Sequence, residues 1–76
     1  MDWTIEDKRL IKDFNFNSFI EAINFINKIL PIAEKNNHHP DILIHSYNKV
    51  KIFIYTHSEE NITEKDYNLA KLIDNL

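Results

Sequence analysis

Apolar residues along this chain follow two different spacings. From Phe19 to Ala33 they recur at steps of three and four, at Phe19, Ala22, Ile23, Ile26, Ile29, Leu30 and Ala33, which is the stripe of an amphipathic helix. Ser18 followed by Glu21 forms a capping box at its start, and the stripe carries the helix to about Lys35. Asn36 and Asn37 then supply a left-handed C-cap, and Pro40 prevents continuation. Pro31 lies inside the stripe, where it removes a backbone hydrogen bond and crowds the preceding turn. Because the stripe continues beyond it, a kink between Asn27 and Pro31 is expected rather than a break.

Elsewhere the period shortens to two. Trp3 to Glu6 and Arg9 to Phe16 read as short strands around a turn at Asp7 and Lys8, with Leu10, Phe14 and Phe16 able to share a face. Ile42 to Tyr47 and Val50 to His57 read as a hairpin turning at Asn48 and Lys49. In its second strand Val50, Ile52 and Ile54 take one face and Phe53, Tyr55 and His57 the other. A further helix opens at Thr63, with Asp66 completing a second capping pattern. It is expected to turn Tyr67, Ala70, Ile73 and Leu76 inward, with Leu69 and Leu72 adding to the stripe. The order ββαββα predicts an α+β fold, a four-stranded antiparallel sheet with the helices packed on one face. No linker, repeat or low-complexity segment divides the chain, so a single domain over 1–76 is expected.

Composition narrows the function classes. At 76 residues the domain sits near the lower limit for a self-sufficient core, and strand edges left open would suit pairing with a second copy. The net charge is −3, with both signs interspersed, which gives no electrostatic footprint for direct nucleic-acid binding. No cysteine is present, which excludes a disulfide framework, a thiolate nucleophile and the common structural zinc sites. No apolar run is long enough to span a membrane, and the N-terminus lacks the apolar stretch of a signal peptide. A soluble, intracellular protein is expected. Glycine is absent too, so left-handed turn positions should fall to residues such as Asn36, Asn37, Asn48 and Asn61.

The candidate chemistry lies in the histidines. His38 and His39 stand at the junction of helix and strand, and His57 closes a strand. Antiparallel pairing of the hairpin would bring all three to one edge of the domain. His45, out of phase with Ile42 and Ile44, has no such convergence and reads as a surface or partly buried residue. Three readings are open for the pair His38-His39. They can be polar loop residues. They can ligate a metal, although adjacent histidines point apart and only Glu34 offers a carboxylate nearby. They can serve acid–base chemistry without metal, since a neutral and a protonated imidazole coexist near neutrality.

The spacing of Glu34, His38, His39, Pro40, Tyr47, His57 and Asp66 resembles the signature of the pterin-4a-carbinolamine dehydratases. Phe14, Phe16, Phe19, Ala22 and Phe25 resemble that family's helix-entry motif, and Tyr47-Asn48, Val50, Thr56-His57, Thr63 and Ala70 match as well. The resemblance runs from about Trp3 to the C-terminus. It implies dehydration of 4a-hydroxytetrahydropterin to the quinonoid dihydropterin, in tetrahydrobiopterin recycling for aromatic amino acid hydroxylases. It implies no metal and no organic cofactor, a homodimer or homotetramer, and a cytoplasmic or also nuclear location. Carried onto this chain, His38 and His57 would be the acid–base pair and His39 would bind and orient the pterin. Glu34 would position the histidines, and backbone groups around Thr56 would contact the ring. Pro40, Tyr47 and Asp66 would be signature positions of structural character, Asp66 as a helix cap. Some family members also act as dimerisation cofactors of a homeodomain transcription factor, so an interaction protein is the runner-up, with a non-catalytic pterin-binding protein third. Three departures stand out. The family's helix before the tryptophan matched by Trp3 is missing, a usual glycine is replaced near Asn61, and Pro31 precedes Glu34 by less than a turn.

Overall fold

The computed structural model describes residues 2–76. Its elements are β1 (Thr4–Glu6), β2 (Arg9–Asn15), α1 (Phe19–Asn36), β3 (Asp41–His45), β4 (Lys49–Ile54) and α2 (Glu64–Asp74). The four strands form one antiparallel sheet in the order β1-β2-β4-β3. The α+β architecture is the expected one. The longest ladder, β2 with β4, sets Leu10 against Ile54, Lys12 against Ile52 and Phe14 against Val50. Those positions face the helices. Leu10, Val50, Ile52 and Ile54 are fully buried there, with Ala22, Phe25 and Ile29 of α1 and Leu69, Ala70 and Ile73 of α2. Phe14 and Phe16 both pack on the Phe25 ring, at centroid distances of 4.7 and 5.0 Å.

The hairpin turns earlier than expected. His45 pairs with Lys49, so Ser46, Tyr47 and Asn48 form the loop, with Ser46 and Tyr47 in the left-handed region at φ 51° and 55°. The reason is parity. A turn at Asn48 and Lys49 would have set His45 across from Ile52 and rolled an imidazole into the core. The observed register instead opposes Ile42 to Ile52 and Ile44 to Val50. Asn48 is also claimed by β2, since its side-chain amide donates to the Phe16 carbonyl at 2.9 Å and its own carbonyl accepts from Phe16 N–H at 2.9 Å.

Strand β4 ends at Ile54, short of His57, because its ladders stop at Leu10 on β2 and Asp41 on β3. A single bridge between Thr56 and Asn61 then closes a turn over residues 57–60. The left-handed residue in that turn is Glu60 (φ 49°), and Asn61 instead accepts the Ile62 N–H on its side chain. Of the four asparagines expected to take such positions, only Asn37 does, at φ 47°. Its N–H caps the α1 carbonyls of Ala33 and Glu34, and His38 N–H reaches back to Ala33 at 3.1 Å.

Helix α1 runs unbroken through Pro31. At its start Ser18 accepts the Glu21 N–H as expected, whereas the Glu21 carboxylate accepts from Asn17, one residue before the N-cap. The buried lines on the helices are narrower than the apolar stripes. Ala22, Phe25, Ile29 and Ala33 are buried on α1, while Phe19 and Leu30 are 53% and 61% exposed. On α2 the line is Asp66, Leu69, Ala70 and Ile73; Tyr67 and Leu72 lie on the exposed flanks, and Leu76, past the helix end, is exposed rather than turned inward. A single sheet can cover one line per helix, so the residues beside it stay in solvent.

Trp3 is buried and ties the two ends of the chain together. Its indole N–H donates to Asp74 at 3.0 Å, and Lys12 meets the other Asp74 oxygen at 2.8 Å. Among the described residues no helix is long and apolar enough to cross a membrane. The difference between stripe and buried line is measurable. Ile29→Ala should cost roughly 2–5 kcal/mol in urea denaturation, whereas Leu30→Ala, one residue away, should change stability by no more than about 0.5 kcal/mol.

Candidate functional site

Where the end of α1, the turn after β4 and the start of α2 meet, an open cleft of about 240 Å³ is lined by Asn37, His38, His39, Thr56, His57, Ser58 and Lys65. His38 and His39 are delivered there by the left-handed cap at Asn37, which reverses the chain just before them. Pro40 follows and leads into β3. His57 arrives from the other side as the first residue of the turn beyond the Thr56–Asn61 bridge. The structure therefore brings His38, His39 and His57 to one cleft. His45 lies on β3 with its ring beside the Ser46 hydroxyl at 3.2 Å, and Tyr47 sits 65% exposed in the hairpin loop, at the far end of the sheet. Neither approaches the cleft.

Beneath the histidines is Asp66, with no solvent exposure. Its Oδ1 is 2.6 Å from His38 Nε2. Its Oδ2 accepts from the Thr56 hydroxyl at 2.8 Å and from the Thr63 N–H at 2.7 Å. The Thr56 hydroxyl, having donated to Asp66, accepts from the Thr63 hydroxyl at 2.6 Å, and Thr63 in turn accepts the Lys65 N–H at 3.3 Å. Asp66 thus completes the N-terminal capping box of α2 and braces an imidazole with its other oxygen. The sequence pattern predicts the cap alone. Nothing in the linear sequence signals the second role, because His38 lies 28 residues upstream and the two meet only when α2 docks.

The carboxylate on Asp66 favours the His38 tautomer with its hydrogen on Nε2, which leaves Nδ1 as the nitrogen available to a ligand. His39 is braced separately. Its Nε2 is 2.6 Å from Glu34 Oε2, and this pair is exposed, with side-chain accessibilities of 54% and 65%. Glu34 therefore acts on His39 and not on His38, and Pro31, a turn earlier, does not prevent that contact. Thr56 is buried, with its hydroxyl held by Asp66. Its N–H donates to the Asn61 carbonyl at 2.9 Å, and its carbonyl accepts from Glu59 at 3.1 Å. His57 has a different support, a stacked ring from Tyr55 with centroids 4.3 Å apart and planes 7° from parallel. Among the described residues no three imidazole, carboxylate or thiolate groups come together as a metal-binding cluster. Asn37, Ser58 and Lys65 line the cleft without having been singled out from sequence, since isolated polar residues carry no spacing signal.

The arrangement offers two imidazoles held by carboxylates and a third held by an aromatic ring, around a space open to solvent on one side. It can exchange protons at more than one point of a small, flat ligand. The chain also matches known proteins. The family model described as pterin 4 alpha carbinolamine dehydratase matches residues 1–76. Relatives provisionally named pterin-4-alpha-carbinolamine dehydratase include one from Sulfolobus acidocaldarius, 45% identical over 97% of this chain and 80% of its own length. Another, from Trichodesmium erythraeum, is 45% identical over 99% of this chain and 80% of its own length. Among solved structures, the transcriptional coactivator/pterin dehydratase from Brucella melitensis superposes with a TM-score of 0.90 at 32% identity, over 97% of this chain and 80% of that one. A pterin dehydratase-like protein identified as a RuBisCO assembly factor in the alpha-carboxysome shares the fold, with a TM-score of 0.76 at 20% identity over 96% of this chain and 83% of that one.

Two measurements check the bracing. Long-range proton–nitrogen NMR spectra should show neutral His38 as the Nε2–H tautomer, and Asp66→Asn should abolish that preference. Thr56→Val removes a donor from a fully buried carboxylate and should cost roughly 1–3 kcal/mol in denaturant unfolding.

Proposed function

The chain belongs to the pterin 4 alpha carbinolamine dehydratase family, and from that premise we propose that it removes water from a 4a-hydroxytetrahydropterin to yield the quinonoid dihydropterin. The observation that carries this reading is the meeting of His38, His39 and His57 at one cleft, with His38 braced on buried Asp66.

The chemistry asks little of a protein beyond this. The departing hydroxyl sits on C4a, next to ring nitrogen N5, whose lone pair drives the C–O bond open. A protonated His57 gives its proton to the departing oxygen, which leaves as water. The ring N–H proton passes to Nδ1 of neutral His38, and the C4a–N5 double bond of the product remains. Hydroxyl and proton together make up the water lost, and exchange with solvent returns both imidazoles to their starting states. His39, oriented by Glu34, holds an edge of the pterin. Thr56 supports the site through Asp66 and not by a side-chain contact with substrate. Every one of these groups acts as a positioned acid, base or hydrogen-bonding partner, so neither a metal nor an organic cofactor enters the scheme. The physiological setting that goes with it is recycling of tetrahydrobiopterin for aromatic amino acid hydroxylases, in a protein assembled as a homodimer or homotetramer.

An interaction role of the kind named in the Brucella melitensis protein's title is the alternative. It has no need of an imidazole held at 2.6 Å by a buried carboxylate, and that contact favours the enzyme. Freshly generated 4a-hydroxytetrahydropterin, followed by the absorbance of the quinonoid product, separates the two. The native protein should accelerate product formation over the spontaneous rate, and His38→Ala and His57→Ala should each lose roughly 100-fold or more of that acceleration. A native rate equal to the spontaneous one rejects the dehydratase; full activity in both variants rejects the assigned roles.

A further inference from the structure

Each imidazole at the cleft needs something to hold its ring in place, and the three are not held alike. His38 has the Asp66 carboxylate at 2.6 Å and His39 has Glu34 at 2.6 Å. His57 is exposed, follows the end of β4 by three residues, and receives no hydrogen bond on its ring among the described residues. What it has is the phenol ring of Tyr55, nearly parallel to it at 4.3 Å. The contact follows from strand parity. Tyr55 and His57 flank Thr56 at the isolated bridge, and both stand on the side opposite to buried Ile54 and Thr56. Tyr55 is itself half-buried, next to the last ladder pair Leu10–Ile54, and a tyrosine ring has few rotamers to lose.

We propose that Tyr55 is the positioning residue for His57, holding the imidazole by its face so that both ring nitrogens remain free at its edge. The proposal rests on the reading of His57 as the proton donor. A carboxylate would occupy one nitrogen, as Asp66 does on His38. A stacked ring occupies neither, which suits a group that must hand a proton to the departing oxygen and take another from solvent in every turnover. The stack belongs to the aromatic ring and not to the phenol hydroxyl, so a phenylalanine should serve equally well. A leucine would keep the apolar bulk on the sheet while losing the flat face.

The test compares the native protein with Tyr55→Phe and Tyr55→Leu. In the dehydration assay Tyr55→Phe should keep the native kcat, while Tyr55→Leu should lose about tenfold or more in kcat with little change in KM, since the ring is misplaced and not removed. In proton NMR spectra the His57 ring protons, shielded by the stacked ring, should move downfield in Tyr55→Leu and stay in place in Tyr55→Phe. A native kcat in Tyr55→Leu, or an equal loss in Tyr55→Phe, overturns the proposal. The NMR comparison stands without turnover. His57 signals unmoved by Tyr55→Leu overturn the stack itself, whereas absence of acceleration by the native protein overturns the dehydratase reading instead.

Discussion

A carboxylate with no solvent exposure has to find its hydrogen bonds inside the protein, and Asp66 finds them on three stretches of the chain, one of them 28 residues upstream. His38 comes from the end of α1, Thr56 from beyond β4, and Thr63 from the entry to α2. An unmatched carboxylate oxygen in that place would cost several kcal/mol, so the three segments are held to one another by the need to satisfy it. Among the described residues no buried side-chain nitrogen or oxygen lacks a partner. The same requirement that closes the fold at this end therefore also orients His38. Stability and site geometry are not separable here.

The opposite ends of the chain meet through a smaller version of the same device. Asp74, in the last turn of α2, takes the Trp3 indole on one oxygen and Lys12 on the other. The Lys12 ammonium also stands over the Phe14 ring, 5.0 Å from its centre. The short first strand, paired over only three residues with β2, gains an anchor that its own ladder is too brief to supply. With β1 and β2 held in this way, β4 lies inside the sheet, and the turn that follows it is carried to the cleft from a fixed base.

A chain without glycine reveals how far local preference governs backbone shape. Six of the described residues take positive φ, and only Asn37 and Asp7 belong to the types that tolerate it well; Lys8, Ser46, Tyr47 and Glu60 do not. At Ser46 and Tyr47 the left-handed pair is imposed by the register that keeps Ile42 and Ile44 on the core face. Ile44 is half-buried against the core while Ile42 stays 37% exposed. The alternative register would put the His45 imidazole across from buried Ile52, a cost to set against the roughly 1–2 kcal/mol of a left-handed residue. Asn48, which looked like the turn residue, is drawn instead into pairing with Phe16. The turn was legible as a turn, but its place was set by a strand not adjacent in sequence.

Much of the molecule was nonetheless readable residue by residue. The capping residues Ser18 and Thr63, the left-handed Asn37, the strand faces of β4 and the order of elements depend on contacts within a few positions, and local chemistry determines them. The motif of three histidines is legible because spacing survives in a linear string, and antiparallel pairing points them to one edge, although the Asn37 cap and the turn beyond the Thr56–Asn61 bridge complete the approach. Only the tertiary structure decided which apolar residues of each helix stripe are buried, which carboxylate serves which imidazole, and that Tyr55 lies flat on His57. The physical reason is common to all three. They are contacts between surfaces whose relative rotation and height are set by packing, and a shift of one residue in register would replace every partner while leaving each local signal unchanged.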